Sequence, residues 1–252
     1  MHPFWISVLY FLSFAFTNAK IICEPGVIEL TESCVLIHKQ LMHFCEANEY
    51  CNNRTSLPGQ HTYLIGSSYN QINFTYTPVR NAWTSLTELH KFSMDNPRQL
   101  KTGDPQMVVI AVSESESPSH VDYTGGPLRV YHLGRFEPAD DHTLAVPLCE
   151  TSELPTRNKE KAVIKSFHLK VQSSPVHIFG VQNGSKGCFT KSMAQTYIEC
   201  QFRCRNIRMC RVAYYNAVGK SCWFSMYVDS LLPVEANRQT GIWQRTEMNG
   251  VY

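Results

Sequence analysis

Beyond residues 5–16, this 252-residue chain has no apolar run approaching the ~18 residues that a bilayer-spanning helix needs. It also lacks the short motifs that announce catalysis. The Gly-x-Ser-x-Gly frame of a nucleophile elbow is missing around Gly66-Ser67-Ser68, and neither a His-Glu-x-x-His pair nor a glycine-rich phosphate loop occurs. No Cys-x2-Cys pair is present, and His38 and His43 stand near Cys34 and Cys45 at no spacing that a structural zinc site uses. No internal repeat or extended low-complexity tract occurs either. On these absences no catalytic residue, metal ligand or cofactor is expected. A triad assembled from distant residues would leave no local motif, so a hydrolase stays open as a rival.

Residues 5–16 themselves are almost unbroken apolar sequence, about a dozen residues, the length of a signal-peptide core and too short to span a bilayer. Thr17-Asn18-Ala19 puts small residues at the two positions a signal peptidase reads, so residues 1–19 are expected to be removed after Ala19. The segment before the core departs from the usual form in having no Lys or Arg, and an uncleaved anchor is the alternative. All ten cysteines lie beyond Ala19, an even number that suits a disulfide framework in an oxidising, extracellular compartment. Three sequons agree with export, at Asn53, Asn73 and Asn183, each in polar, turn-rich sequence where a glycan is accessible.

Charge divides what remains. Residues 20–150 carry nine Lys/Arg against fifteen Asp/Glu, a net of −6. Residues 151–185 carry five against two, or +3, and residues 186–252 carry nine against four, or +5. An acidic front joined to a basic back predicts two domains with different surfaces, at residues 20–182 and 186–248. The polar stretch 151–161 resembles a linker, but apolar runs over 163–171 and 176–179 read as a hairpin closing the first domain. The boundary then falls in the turn-rich stretch 182–187.

In the front part, Cys23 and Cys34 are close enough for a clip over one hairpin. Residues 35–48 read as an amphipathic helix with Leu41, Phe44 and Cys45 at helical spacing. Strands are expected at 63–66, 82–86, 107–112 and 128–133, with a solvated serine-rich loop at 113–119. The fold class is α+β. In the back part the run is Cys200-x3-Cys204-x5-Cys210-x11-Cys222. If residues 192–205 are a helix, Cys200 and Cys204 leave it from one face. Cys210, across a short turn, and Cys222, on a following strand, are their natural partners. A helix stapled twice to a small sheet compensates for the small core of a domain of roughly 65 residues.

Gly187-Cys188-Phe189, the helix with Cys200 and Cys204, the stretch from Cys210 to Asn216, and Cys222-Trp223-Phe224 together resemble the PAN/apple module over residues 186–247. That resemblance implies the pairs Cys200–Cys222 and Cys204–Cys210, and a closing strand at 242–245. Cys188 finds no late partner inside such a module, so it must bond outside it or stay free. The front part resembles a C-type lectin-like domain in the order of its features. These are the Cys23/Cys34 clip, Phe44-Cys45 on a helix, the strands at 63–66 and 83–86, Gly103-Asp104-Pro105, and Glu137-Pro138-Ala139 ahead of Cys149. Cys45 and Cys149 belong to its disulfide framework, with the pairing of Cys45, Cys51, Cys149 and Cys188 left open. In calcium-dependent members a Glu-Pro-Asn segment supplies an amide oxygen that Ala139 lacks, and no Asn-Asp pair follows Cys149. Glu137, Asp140 and Asp141 are therefore read as a solvated charged loop, and calcium is expected to bind weakly or not at all.

Together these features imply a secreted, non-enzymatic recognition or adhesion protein whose partners are extracellular glycans, sulfated ones included, or glycoproteins. An apple module behind an unrelated α+β domain is the nearer rival, and a secreted hydrolase with an apple targeting module the farther one. The basic run Arg203, Arg205, Arg208 and Arg211 is the sharpest binding candidate, since guanidinium groups pair well with sulfate or carboxylate oxygens. Its rival is a solvated face that only aids solubility. Nucleic acid is a poor fit, because no stacking aromatics accompany the arginines. Tyr214, Tyr215, Trp223 and Phe224 read as core and strand residues.

Overall fold

The computed structural model describes residues 23–54, 60–72, 81–87, 89, 99–103, 109–111, 128–132, 135–153 and 187–247. Residues 1–19, the sequons' Asn73 and Asn183, and the hairpin expected over 163–179 lie outside them. Among the described residues the fold is α+β, with two α-helices, a nine-stranded and a four-stranded sheet, and five disulfides. No described helix is long and apolar enough to cross a membrane.

The first sheet starts with β1 (Ile28–Glu29) and β2 (Ser33–Ile37), a hairpin closed by the Cys23–Cys34 bond. Next come α1 (Phe44–Asn53), β3 (Gln60–Leu64), β4 (Asn81–Thr87), β5 (Gln99–Lys101), β6 (Val109–Ala111), β7 (Leu128–His132), β8 (Arg135–Ala139) and β9 (Val146–Glu153). The long strand β9 organises the sheet, lying antiparallel to both β2 and β3 while its first residues run parallel to β4. From β4 the sheet continues to β7 and β8 in one direction and to β5 and β6 in another.

The helix expected at residues 35–48 begins later. Val35, Leu36 and Ile37 are apolar and largely β-branched, and they pair with β9. Residues 38–42 continue antiparallel beside the approach to β9, with His38 bonded to Pro147 and Met42 to Ala145, and Glu46 accepts a hydrogen bond from the His43 amide at 3.1 Å, closing the first turn of the helix. The buried face is then Phe44, Ala47, Asn48 and Cys51, at helical spacing, and Leu41 is left outside. Cys51 bonds to Cys149 and so fixes α1 onto β9, while Phe44 meets Trp83 edge to face and the Trp83 indole donates to the Met42 carbonyl at 2.7 Å.

The second sheet has the order β10 (Cys188–Met193), β12 (Ser221–Met226), β11 (Cys210–Asn216), β13 (Trp243–Glu247), all antiparallel. The expected helix 192–205 is likewise shorter, because Ser192 and Met193 belong to β10. It becomes α2 (Tyr197–Arg205), whose N-cap Thr196 accepts from the Glu199 amide at 3.1 Å. One face of the sheet packs on α2 through Cys200, Cys204, Ala213, Tyr215, Cys222 and Phe224. The other buries Val212, Tyr214, Trp223, Leu232 and Trp243.

Among the described residues the two halves share a disulfide and a buried cluster. Cys188 bonds to Cys45 of α1, and Cys188 and Val228 belong to the same buried cluster as Phe44, Leu64, Trp83 and Leu128. Across this seam the Leu231 amide donates to the Leu89 carbonyl at 2.9 Å, and Arg211 donates to the carbonyls of Gly103 and Tyr227, each at 2.9 Å.

Candidate polyanion-binding face

Two disulfides turn one side of α2 inward. Cys200 is bonded to Cys222 and Cys204 to Cys210. The second bond depends on a β-bulge. Cys210 pairs opposite Met226 and Val212 opposite Ser225, so Arg211 is an extra residue in the strand. The bulge places Cys210 on the same face as Ala213 and Tyr215, toward α2, where strict alternation would have sent it to the other face. Arg205 and Arg208 thereby sit at the helix end and in the short turn that the Cys204–Cys210 bond closes. Backbone hydrogen bonds from Ile207 to Cys204 and from Cys210 to Ile207, both 2.9 Å, hold that turn.

The four arginines of the basic run have separate fates. Arg211 is buried in the seam and contributes no surface charge, which corrects its place in the run. Arg203 is exposed but occupied: it donates to the Ser192 hydroxyl, the Met193 carbonyl and the Glu199 carboxylate, each at 2.6 Å. Glu199 also accepts from the Gln195 amide at 2.7 Å, and that bond, with the Arg203 charge, holds its carboxyl below the usual range. Arg205 and Arg208 are exposed and make no hydrogen bond or ion pair among the described residues. Partial burial lowers the Arg208 pKa from its ordinary value, which still leaves an arginine charged. Lys220 donates to the Gln195 side chain at 2.9 Å and Lys191 lies 3.9 Å over the Trp223 ring, so both are held against the module. The chemistry on offer is thus two guanidinium groups on a short, covalently closed turn, suited to oxyanions.

Sequence reasoning missed the neighbours of this turn. Ile198 and Phe202 are exposed on α2. The signal was available, because residues two positions from an inward-facing Cys200 or Cys204 lie about 200° round the helix.

The charged loop of the first half is elsewhere. Glu137 lies in β8, Ala139 is buried at its end, and Asp140 accepts from the Thr143 hydroxyl at 2.9 Å and the His142 amide at 3.0 Å. These bonds, the Thr143 hydroxyl first, hold the Asp140 carboxyl below its usual range. Among the described residues no three His, Cys, Asp or Glu side chains converge as metal ligands would. Asn53 is exposed at the last residue of α1, where a glycan would meet solvent.

No protein-family model matches this sequence, and no curated protein matches it either. Solved structures similar to the chain are C-type lectin-like domains. The C-type lectin CEL-I from Cucumaria echinata is 10% identical with a TM-score of 0.40, covering 52% of this chain and 99% of its own. The carbohydrate-recognition domain of the mouse scavenger receptor C-type lectin is 14% identical with a TM-score of 0.40, covering 52% and 98%. Human lithostathine is 14% identical with a TM-score of 0.39, covering 52% and 92%.

Proposed function

We propose that this chain is a secreted, non-enzymatic recognition protein with a lectin-like front and an apple-like back, and that it binds sulfated or otherwise polyanionic extracellular glycans through Arg205 and Arg208. The observation that carries this is the disulfide-closed turn after α2, which presents both guanidinium groups without a hydrogen-bond or ion-pair partner among the described residues. A turn already closed loses little further entropy on binding, so most of the charge-assisted hydrogen-bond energy reaches the ligand. The basic balance of residues 186–252, +5, adds a favourable long-range field that salt screens. The first half contributes fold and position: its buried Ala139 offers no side-chain oxygen to a sugar-bound calcium ion.

The test is heparin chromatography of the whole, disulfide-intact chain beside an Arg205→Ala, Arg208→Ala double variant. Residues 186–252 alone would leave Cys188 without Cys45 and expose Val228, so the isolated back half is the wrong sample. The parent is expected to be retained at low salt and to elute as salt rises. The variant should bind roughly tenfold more weakly, as loss of charged hydrogen bonds implies. Co-elution of the two, or flow-through of the parent, would make the turn a solvated face.

A further inference from the structure

The outer side of α2 carries two apolar side chains that the described chain leaves uncovered, Ile198 at 74% exposure and Phe202 at 62%. They stand one helical turn apart, opposite the two bonded cysteines. Arg205 continues the stripe at the seventh position after Ile198, and Arg208 follows in the turn. Sulfates have no use for an aliphatic and an aromatic side chain. An exposed apolar pair rimmed by charge has the anatomy of a protein contact.

A second exposed apolar pair, with two aspartates close to it in sequence, lies on the first half. Met42 and Ala145 form an isolated antiparallel bridge, with amide-to-carbonyl bonds of 3.0 and 3.2 Å. Leu41 and Leu144 each precede it on the two bridged segments. Alternation sends both to the face away from the buried Ala145, as diagonal neighbours, and they are 58% and 46% exposed. The turn that leads into Leu144 carries Asp140 and Asp141. Asp140 is exposed, and a carboxylate is charged at neutral pH, so the patch is apolar with an acidic side.

We infer that α2 of one copy docks on the Leu41–Leu144 patch of a second copy, apolar pair on apolar pair, with Arg205 and Arg208 facing Asp140 and Asp141. The −6 of residues 20–150 against the +5 of residues 186–252 favours that head-to-tail approach over a head-to-head one. The two patches differ, so the contact is heterologous. Each dimer keeps one of each patch free, and association continues into rings or chains as concentration rises. The contact goes beyond the glycan reading and shares its two arginines, so a heparin fragment should compete with it.

The experiment is sedimentation velocity on the whole, disulfide-intact chain at low salt over rising concentration. The parent should form larger species that dissolve as salt is added. An Ile198→Ser, Phe202→Ser variant should stay monomeric while still being retained on heparin, and a Leu41→Ser, Leu144→Ser variant should stay monomeric too. Mixed in equal amounts, the two should form a dimer and stop there, because each brings one intact patch. Should either apolar variant misfold, Arg205→Asp mixed with Asp140→Arg offers a second complementation by charge. A parent that stays monomeric to about 100 μM, the range in which a weak contact would show, overturns the inference, whatever its heparin retention. So does a variant that self-associates like the parent, or a mixture that stays monomeric. A parent that self-associates yet flows through heparin supports docking and removes the glycan reading alone.

Discussion

His61 shows what enclosure does to one imidazole. It lies in β3, buried, with its ring 5.5 Å from that of Tyr63. Burial first, and then the positive charges of Arg208 and Arg211, push its pKa down to about 3. In the unfolded chain the same imidazole titrates near 6.5. Between these values the unfolded chain takes up a proton that the folded one refuses. The stability this group contributes is therefore intact above pH 6.5 and is lost as pH falls toward 3, at up to about 1.4 kcal/mol per pH unit. Urea unfolding of the parent and of His61→Asn, from pH 6.5 to 4, should show a shallower loss in the variant by close to one proton, whatever its absolute stability. Parallel slopes would mean that His61 charges inside the fold. Arg211 teaches the complementary lesson about legibility. In sequence it is one arginine among four, whereas its carbonyl acceptors, Gly103 and Tyr227, lie on segments that no local pattern connects to it.

At the scale of elements, the parts legible in sequence were those whose signal is local. The hairpin clip at Cys23 and Cys34, the strand around Trp83, and a helix bearing Cys200 and Cys204 all announce themselves in short windows. Helix starts were less legible. At α1 the apolar stretch of β2 runs on toward the helical pattern, at α2 the strand residues Ser192 and Met193 lie close before it, and a cap marks each start, Thr196 for α2 and the Glu46–His43 bond for α1. In β11 all seven residues are buried, so alternation carries no inside–outside signal, and the bulge at Arg211 was invisible. The staples of α2 differ in loop size, with sequence separations of 22 for Cys200–Cys222 and 6 for Cys204–Cys210. Chain entropy then sets the expected cost of removing each: about 3 kcal/mol for Cys200→Ala with Cys222→Ala, against about 2 for Cys204→Ala with Cys210→Ala. Denaturant unfolding of the whole chain measures both. A larger loss from the short loop would show that the bulge and its turn, not loop closure, dominate.

On the scale of the molecule, composition and charge suggested two bodies, and the packing shows one seam. Four cysteines left unassigned by their surroundings, Cys45, Cys51, Cys149 and Cys188, admit three pairings, and spacing does not choose among them. The choice made, Cys45–Cys188 with Cys51–Cys149, draws β10 onto α1 and lets Val228 complete the cluster around Trp83. Gly103 marks how close the halves come. A Cβ there would stand 2.6 Å from Val228 Cγ1 and 2.9 Å from the Tyr227 carbonyl oxygen, and the second of these is backbone with little freedom to retreat. Gly103→Ala should therefore pry the seam open, at a cost of about 1–3 kcal/mol typical of overpacking. Hydrogen exchange tells a seam from a local clash. The Leu231 amide, in the second half, donates to the Leu89 carbonyl in the first. Its protection should fall in the Gly103→Ala chain, while amides paired between β11 and β12 keep theirs. If Leu231 exchanges as slowly as in the parent, the halves touch at Gly103 without depending on it, and the seam is held by the Cys45–Cys188 bond and the cluster around Val228.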